Sequence, residues 1–323
     1  MRNQERHALR HLMQVMKAVL LCFILAACLS GQTPEQTSAT VRISFTAIDK
    51  NRQAVTNLTK EKIRLTEDGE PQTITGFERN PEQPLSLVIM LDVSYSQQDT
   101  LPNAKLAARV FIDTVMRQGI DEVAIISFTD EATLERDLTN DVSKVKRALA
   151  EVKYVTPIPL IKSNPDTAAG TAIWDALWLA AGAQVLERSS TLNRRGIVLI
   201  SDGVDTVSRV KQKEAIERAI KADVAIFTIG LGDQQFNDVD KKALSEVAEQ
   251  TGGKFFMPKK ISDLPGVFAE IKQELVAPYV VTYTSVSKKK KKNSLRRVRI
   301  EITDADLRKQ DLQVFHRRGF FAE

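Results

Sequence analysis

The chain has 323 residues, 43% of them hydrophobic and 27% charged, which is enough for one full α/β core with a smaller module beside it and too apolar for a disordered chain. Its formal charge of +5 rests largely on the N-terminus, where Arg2, Arg6, Arg10 and Lys17 face only Glu5; without residues 1–27 the chain is nearly balanced, so no nucleic-acid surface is implied. Cys22 and Cys28 are the only cysteines and His316 the only histidine beyond His11, which excludes disulfides, cysteine-based zinc sites and thiol nucleophiles from the body and leaves a Ser-His-Asp hydrolase a single histidine near the chain end.

Residues 1–17 are basic and are followed by the short apolar run Ala18–Ala27. That layout predicts a signal peptide over residues 1–27, and the run is too short for a membrane span of about 20 residues. Its end, Leu25-Ala26-Ala27-Cys28, resembles the lipobox of bacterial lipoproteins, which implies lipidation of Cys28 and a membrane anchor; cleavage near Ser30 or Gly31 and a soluble secreted product is the alternative. Both readings export the chain, to the cell envelope or beyond it.

Residues 28–39 are polar and read as a tether. Val41–Ile48 then alternates apolar and polar residues with the period of a half-buried strand, and Asp68-Gly69 between two strand-like runs is a strong hairpin signal, so residues 40–80 predict a small antiparallel β module. From Pro84 the pattern changes. Leu85–Leu91, Glu122–Phe128, Gly196–Ile200 and Ala222–Leu231 are continuous apolar strands of the kind a sheet covered on both faces requires. Helical stretches near 102–117, 141–152, 172–187, 211–221 and 240–251 lie between them, and Val267–Leu275 makes a last helix. The alternation predicts an α/β, doubly wound, mostly parallel sheet over residues 84–276. Residues 277–323 return to strands, at Tyr279–Ser285, Leu295–Ile302 and Asp311–His316, expected to pack with the N-terminal module because neither segment buries a face alone.

The chemistry-bearing residues fall at the ends of the apolar strands. Asp92, Ser94 and Ser96 follow the most apolar strand with a spacing of two, so a tight loop can aim three oxygens at one point. Asp202 ends another apolar strand and is followed by Gly203, which frees the backbone to turn. Thr171, after Gly170, stands at the entry to a helix. In an open α/β sheet these carboxyl ends flank the ligand crevice. Each piece has a bland alternative: Thr171 as a helix cap, Asp202-Gly203 as an ordinary turn, Ser96 or Asp99 as a cap for the helix at Pro102. An oxygen-only set suits a hard cation, Mg²⁺ foremost, with Mn²⁺ or Ca²⁺ as alternatives.

The order D-x-S-x-S, then Gly170-Thr171 before a helix, then Ser201-Asp202-Gly203 after a strand resembles the metal-ion-dependent adhesion site (MIDAS) of the von Willebrand factor A (vWA) family. The resemblance covers residues 84–276 and implies a Rossmann-like fold, with Ser94, Ser96 and Thr171 supplying hydroxyls to a divalent cation and Asp92 and Asp202 holding the layer behind them. It also implies that the cation binds an acidic residue of a protein partner, without catalysis. Leu58–Gly69 and Arg317–Ala322 are similar to flanking segments of exported bacterial proteins of this group. Tyr95 stands where a small residue is usual.

The leading expectation is therefore a metal-dependent adhesion or assembly module at the cell envelope, with a structural subunit whose metal is incidental as the alternative. A hydrolase is disfavoured because no general base is evident near the hydroxyls. Loop Tyr154–Ala169, with Pro157, Pro159 and Pro165, is expected to shape the contact. Gly230-Leu-Gly232 lacks the third glycine of a dinucleotide fingerprint, since position 235 is Gln, and predicts a strand-ending turn. Lys288–Lys292 predicts a solvated loop tip, with attraction to anionic lipid as the second reading.

Overall fold

The computed structural model describes residues 39–155, 170–190, 193–232, 239–276, 279–285 and 293–322. The leader, Cys28, the three loop prolines and the lysine run lie outside the described residues. In chain order the elements are β1 (Ala39–Ile48), β2 (Ile63–Glu67), β3 (Glu70–Gln72), β4 (Ile74–Arg79), β5 (Leu85–Asp92), α1 (Leu101–Val115), β6 (Glu122–Phe128), β7 (Ala132–Thr139) and α2 (Val142–Glu151). They continue with α3 (Ile173–Ala181), β8 (Arg194–Ser201), α4 (Gln212–Lys221), β9 (Val224–Gly230), α5 (Lys241–Thr251), β10 (Phe255–Phe256) and α6 (Leu264–Val276). The last are β11 (Tyr279–Ser285), β12 (Leu295–Ile302), α7 (Ala305–Arg308), β13 (Gln313–His316) and β14 (Gly319–Phe321).

The central sheet has the order β10-β9-β8-β5-β6-β7, parallel except for β7 at one edge. Every residue of β5 is buried, as its unbroken apolar run requires for a strand covered on both faces. Leu85, Leu87, Ile89 and Leu91 pack with α1, α2 and α6, whereas Val88 and Met90 pack with α3, α4 and α5. Because β5 pairs with β6 on one side and β8 on the other, the strand order reverses at β5. A crevice therefore opens beyond its carboxyl end.

The flanking strands build two antiparallel sheets, β13-β1-β11-β4 and β14-β12-β2-β3. Val41, Ile43 and Phe45 of β1, Leu65 of β2, Tyr279 and Val281 of β11, and Ile300 of β12 share one apolar core between them. Each sheet mixes N- and C-terminal strands: β1 pairs with β11 from Ala39↔Ser285 to Phe45↔Tyr279, and β2 pairs with β12. The β2–β3 hairpin turns on Asp68 at φ 51° and Gly69 at φ 91°, the left-handed pair that a two-residue hairpin loop needs. Among the described residues no helix is long and apolar enough to cross a membrane.

One expectation is corrected, and two features go beyond what was expected. The helix expected over 172–187 ends at Ala181 and Gly182, with a separate short turn at Leu186–Arg188. Strand β7 has no counterpart among the expected elements, because Ala132–Thr139 carries Glu135, Arg136 and Asp137 and lacks the apolar signal of its neighbours. The expected antiparallel module of N- and C-terminal strands is built as two sheets, β3 and β4 lying on either side of Thr73 in different ones.

Candidate metal centre at the switch point

Asp92 is the last residue of β5, and its carboxylate is held from two directions. Oδ1 accepts from the Ser94 amide at 3.0 Å and Oδ2 from Ser201 Oγ on β8 at 2.6 Å. Burial raises its pKa from 3.8 to about 6, the hydrogen bonds from Ser201 and Ser94 opposing that rise and the nearby Asp202 charge adding to it. Ser201 Oγ also accepts from the Gly203 amide at 3.0 Å, so one hydroxyl ties the two strand ends together.

The turn after β5 brings Ser94 Oγ within 3.1 Å of Ser96 Oγ, and Ser96 Oγ donates to Asp202 Oδ2 at 2.6 Å. Asp202 Oδ2 also accepts from Gln97 Nε2 at 3.1 Å, while its Oδ1 accepts from the Val204 amide at 3.0 Å. Gly203 permits this arrangement: its φ is +83°, and a Cβ there would come within 2.7 Å of Leu244 Cγ. Asp92, Ser94, Ser96 and Asp202 thus form one hydrogen-bonded cluster at the carboxyl edge of the sheet.

Thr171 is fixed at this edge through its backbone. Its amide donates to Thr206 Oγ1 at 2.8 Å, its carbonyl accepts from the Thr206 amide at 2.9 Å, and the next amide, of Ala172, donates to Thr129 O at 2.6 Å beyond the end of β6. Thr171 does not cap α3. Ala172 occupies the cap position, and the first amides of the helix go instead to Asp205 Oδ1, at 2.8 Å from Ile173 N, and to Ser208 Oγ, at 3.0 Å from Trp174 N. A carboxylate at a helix N-terminus is also favoured by the helix dipole. Ser96 and Asp99 do not cap α1 either, whose cap position is Thr100.

Several residues that position the site carried no signal in the motif. Gln97 is buried and bridges Asp202 to Leu231 O at 3.0 Å, while its own Oε1 accepts from Thr100 Oγ1 at 2.8 Å. Through Leu231, the Gly230-Leu-Gly232 turn becomes a wall of the site, and a Cβ on Gly232 would lie 3.4 Å from Asp202 Cβ. Adjacency to D-x-S-x-S was the only clue to Gln97; Asp205, Thr206 and Ser208 follow Asp202 closely but act on a different element. Tyr95, by contrast, is 63% exposed, on the surface beside the cluster.

The donor set fits a small hard cation. Cis ligands of an octahedral Mg²⁺ at about 2.1 Å stand about 3 Å apart, and the two serine hydroxyls have that spacing. Among the described residues no three His, Cys, Asp or Glu side chains converge on one point, so the site is hydroxyl-rich rather than a carboxylate cage.

The chain belongs to the von Willebrand factor type A domain family, whose model matches residues 86–298. It is 24% identical over 238 residues to an uncharacterized protein of Borreliella burgdorferi, covering 70% of this chain and 64% of that one. It is 27% identical over 222 residues to a UPF0353 protein of Mycobacterium avium, covering 61% and 62%. The matches thus span less than two thirds of these relatives' lengths. A solved von Willebrand factor type A structure from Catenulispora acidiphila shares the fold at a TM-score of 0.50 and 15% identity, over 85% of this chain and 72% of that one.

Proposed function

We propose that the chain is a metal-dependent protein-binding module of the cell envelope, in which Ser94, Ser96 and Thr171 offer hydroxyls to a divalent cation, Mg²⁺ by preference, and Asp92 and Asp202 hold the loops that carry them. The carrying observation is the continuous cluster from Ser201 through Asp92, Ser94 and Ser96 to Asp202. Both carboxylates already accept hydrogen bonds from protein donors, so their work is to orient the serines. Bound there, the cation would keep much of its positive charge, because its protein ligands are mainly neutral, and would attract an acidic side chain of a partner. The chain's own residues bind and orient; none is placed as a general base, so the reading includes no catalysis. Export and anchoring at Cys28 are supported by the basic-then-apolar leader.

The test compares the wild type with Asp92→Ala, with and without chelator. Mg²⁺ should raise the melting temperature of the wild type through preferential binding to the folded state, and Asp92→Ala should abolish the rise. Partner capture from an envelope extract should disappear with the mutation and with chelation alike. A partner that remains bound under both conditions would instead favour a permanently docked structural subunit.

A further inference from the structure

At the opposite end of the central sheet from the metal centre, where the amino ends of its parallel strands meet β1, β4 and β11, lies a cavity of ≈ 570 Å³. This volume falls in the range of small-molecule sites. Arg42, Arg194, Arg195 and Arg317 line it, against Glu78 and Asp223.

Two of the four arginines are spoken for. Arg195 donates to Ser189 Oγ at 2.9 Å, Ser189 O at 2.9 Å and Ala222 O at 3.0 Å. Arg317 pairs with Asp223 Oδ1 at 3.1 Å and donates to Ile220 O at 3.1 Å and Arg42 O at 2.7 Å, so the Asp223 carboxylate is engaged as well. Arg194 differs. Its backbone amide donates to Pro84 O at 2.8 Å, yet its guanidinium has no hydrogen-bonded or ion-paired partner among the described residues, and its Nη1 is closed off from solvent. Burial lowers its pKa to about 10, with the charges of Glu274 and Asp223 only partly offsetting that.

Arg194 is half-buried, and an Nη1 closed off from water without a hydrogen-bond acceptor is costly; the rigid fork of a guanidinium matches carboxylate and phosphate oxygens. We infer that this cavity is a binding site for a small oxyanion, a carboxylate or a phosphate, anchored by the guanidinium of Arg194, with the exposed Arg42 as a second cation on its lining. Among neutral side chains Asn80 also lines the wall, whereas Asn193, next to Arg194 in sequence, already donates to Ser86 Oγ at 2.9 Å. Glu78 also lines the cavity, and its charge disfavours a large or multiply charged anion. The site is independent of the metal centre.

Thermal denaturation and titration calorimetry on the full chain, at constant ionic strength in chloride, test this with inorganic phosphate and malonate as probes. A saturable rise in melting temperature with at least one probe, matched by a single calorimetric site, is expected. Arg194→Gln should weaken that binding by about tenfold or more, the worth of a charge-assisted pair, and Arg42→Gln should weaken it by a smaller factor. Asp92→Ala, and Arg299→Gln on the other antiparallel sheet, should leave it unchanged. Should Arg194→Gln fail to fold, the exposed Arg42 variant carries the comparison. No saturable response to either probe, or full affinity in the arginine variants, would mean that water alone solvates Arg194 and would overturn the assignment.

Discussion

At the scale of single residues, side chains outside the motif hold the site as firmly as those within it. Gln97 joins the first loop to Asp202 and to the end of β9. Gln97→Ala leaves a buried carboxylate with one donor fewer, a change that costs on the order of 1–3 kcal/mol. The variant should therefore melt at a lower temperature and show a smaller increment on adding Mg²⁺; a denaturation series with and without the cation that found neither effect would remove Gln97 from the site. His316 serves the fold instead. Its Nε2 accepts from the Ile300 amide at 3.2 Å and its Nδ1 faces Arg317 O at 2.7 Å, an arrangement that needs the neutral ring. Burial, reinforced by Arg318 and Arg299, lowers its pKa from 6.5 to about 4. The folded state thus binds fewer protons than the unfolded one between these values, so stability is intact above about pH 6.5 and falls as the pH drops toward 4. Glu274, pushed by burial from 4.5 to about 7, acts in the opposite sense and loses stability as the pH rises through that window. Subtracting His316→Gln from the wild type in urea titrations at pH 5 and 7.5 isolates the histidine: the wild type should lose more stability on acidification than the variant, and equal losses would refute the neutral-ring assignment.

At the scale of elements, what was legible followed from burial. The strands β5, β6, β8 and β9 show as apolar runs because both of their faces are covered, and the carboxyl ends of β5 and β8 gave Asp92 and Asp202 directly. The edge strand β7 was hidden because one side of it needs no apolar cover, and β10 has only two residues. The role of Thr171 was ambiguous for a different reason: capping and metal ligation ask for the same residue type at the same place, and the structure removes only the first, since Asp205 and Ser208, residues distant in sequence, take the first amides of α3. Turn geometry at the end of β8 offers a test at this scale. Gly203→Ala forces a left-handed backbone on a residue with a Cβ and drives that Cβ against Leu244 and Asp240 O. Strain and overpacking together should cost about 2–4 kcal/mol, and because the turn sets the direction of Asp202, the Mg²⁺ increment should fall as well. An alanine variant with wild-type stability and wild-type response to the cation would show that the turn is not what positions Asp202.

At the scale of the whole molecule, the antiparallel sheets act as a base that joins the two flanking segments beside the α/β body while standing apart from the candidate metal centre. Strand β1 is tied to the body where Thr46 Oγ1 donates to Glu274 O of α6 at 3.0 Å, and β11 follows α6 in sequence. In the core between the sheets Phe45 is fully buried and stacks on Tyr279 with ring centroids 5.2 Å apart. Phe45→Ala removes that ring from a packed interior, which costs about 3–5 kcal/mol. Because Phe45 shares no partner with the cluster around Asp92, the two contributions should add: the variant should melt well below the wild type, yet Mg²⁺ should stabilise it by the same free energy. Calorimetric melts of both proteins, each with and without the cation, measure that difference. A cation increment lost in Phe45→Ala would show that the base and the metal centre are energetically coupled, so that the antiparallel sheets tune binding as well as support the fold.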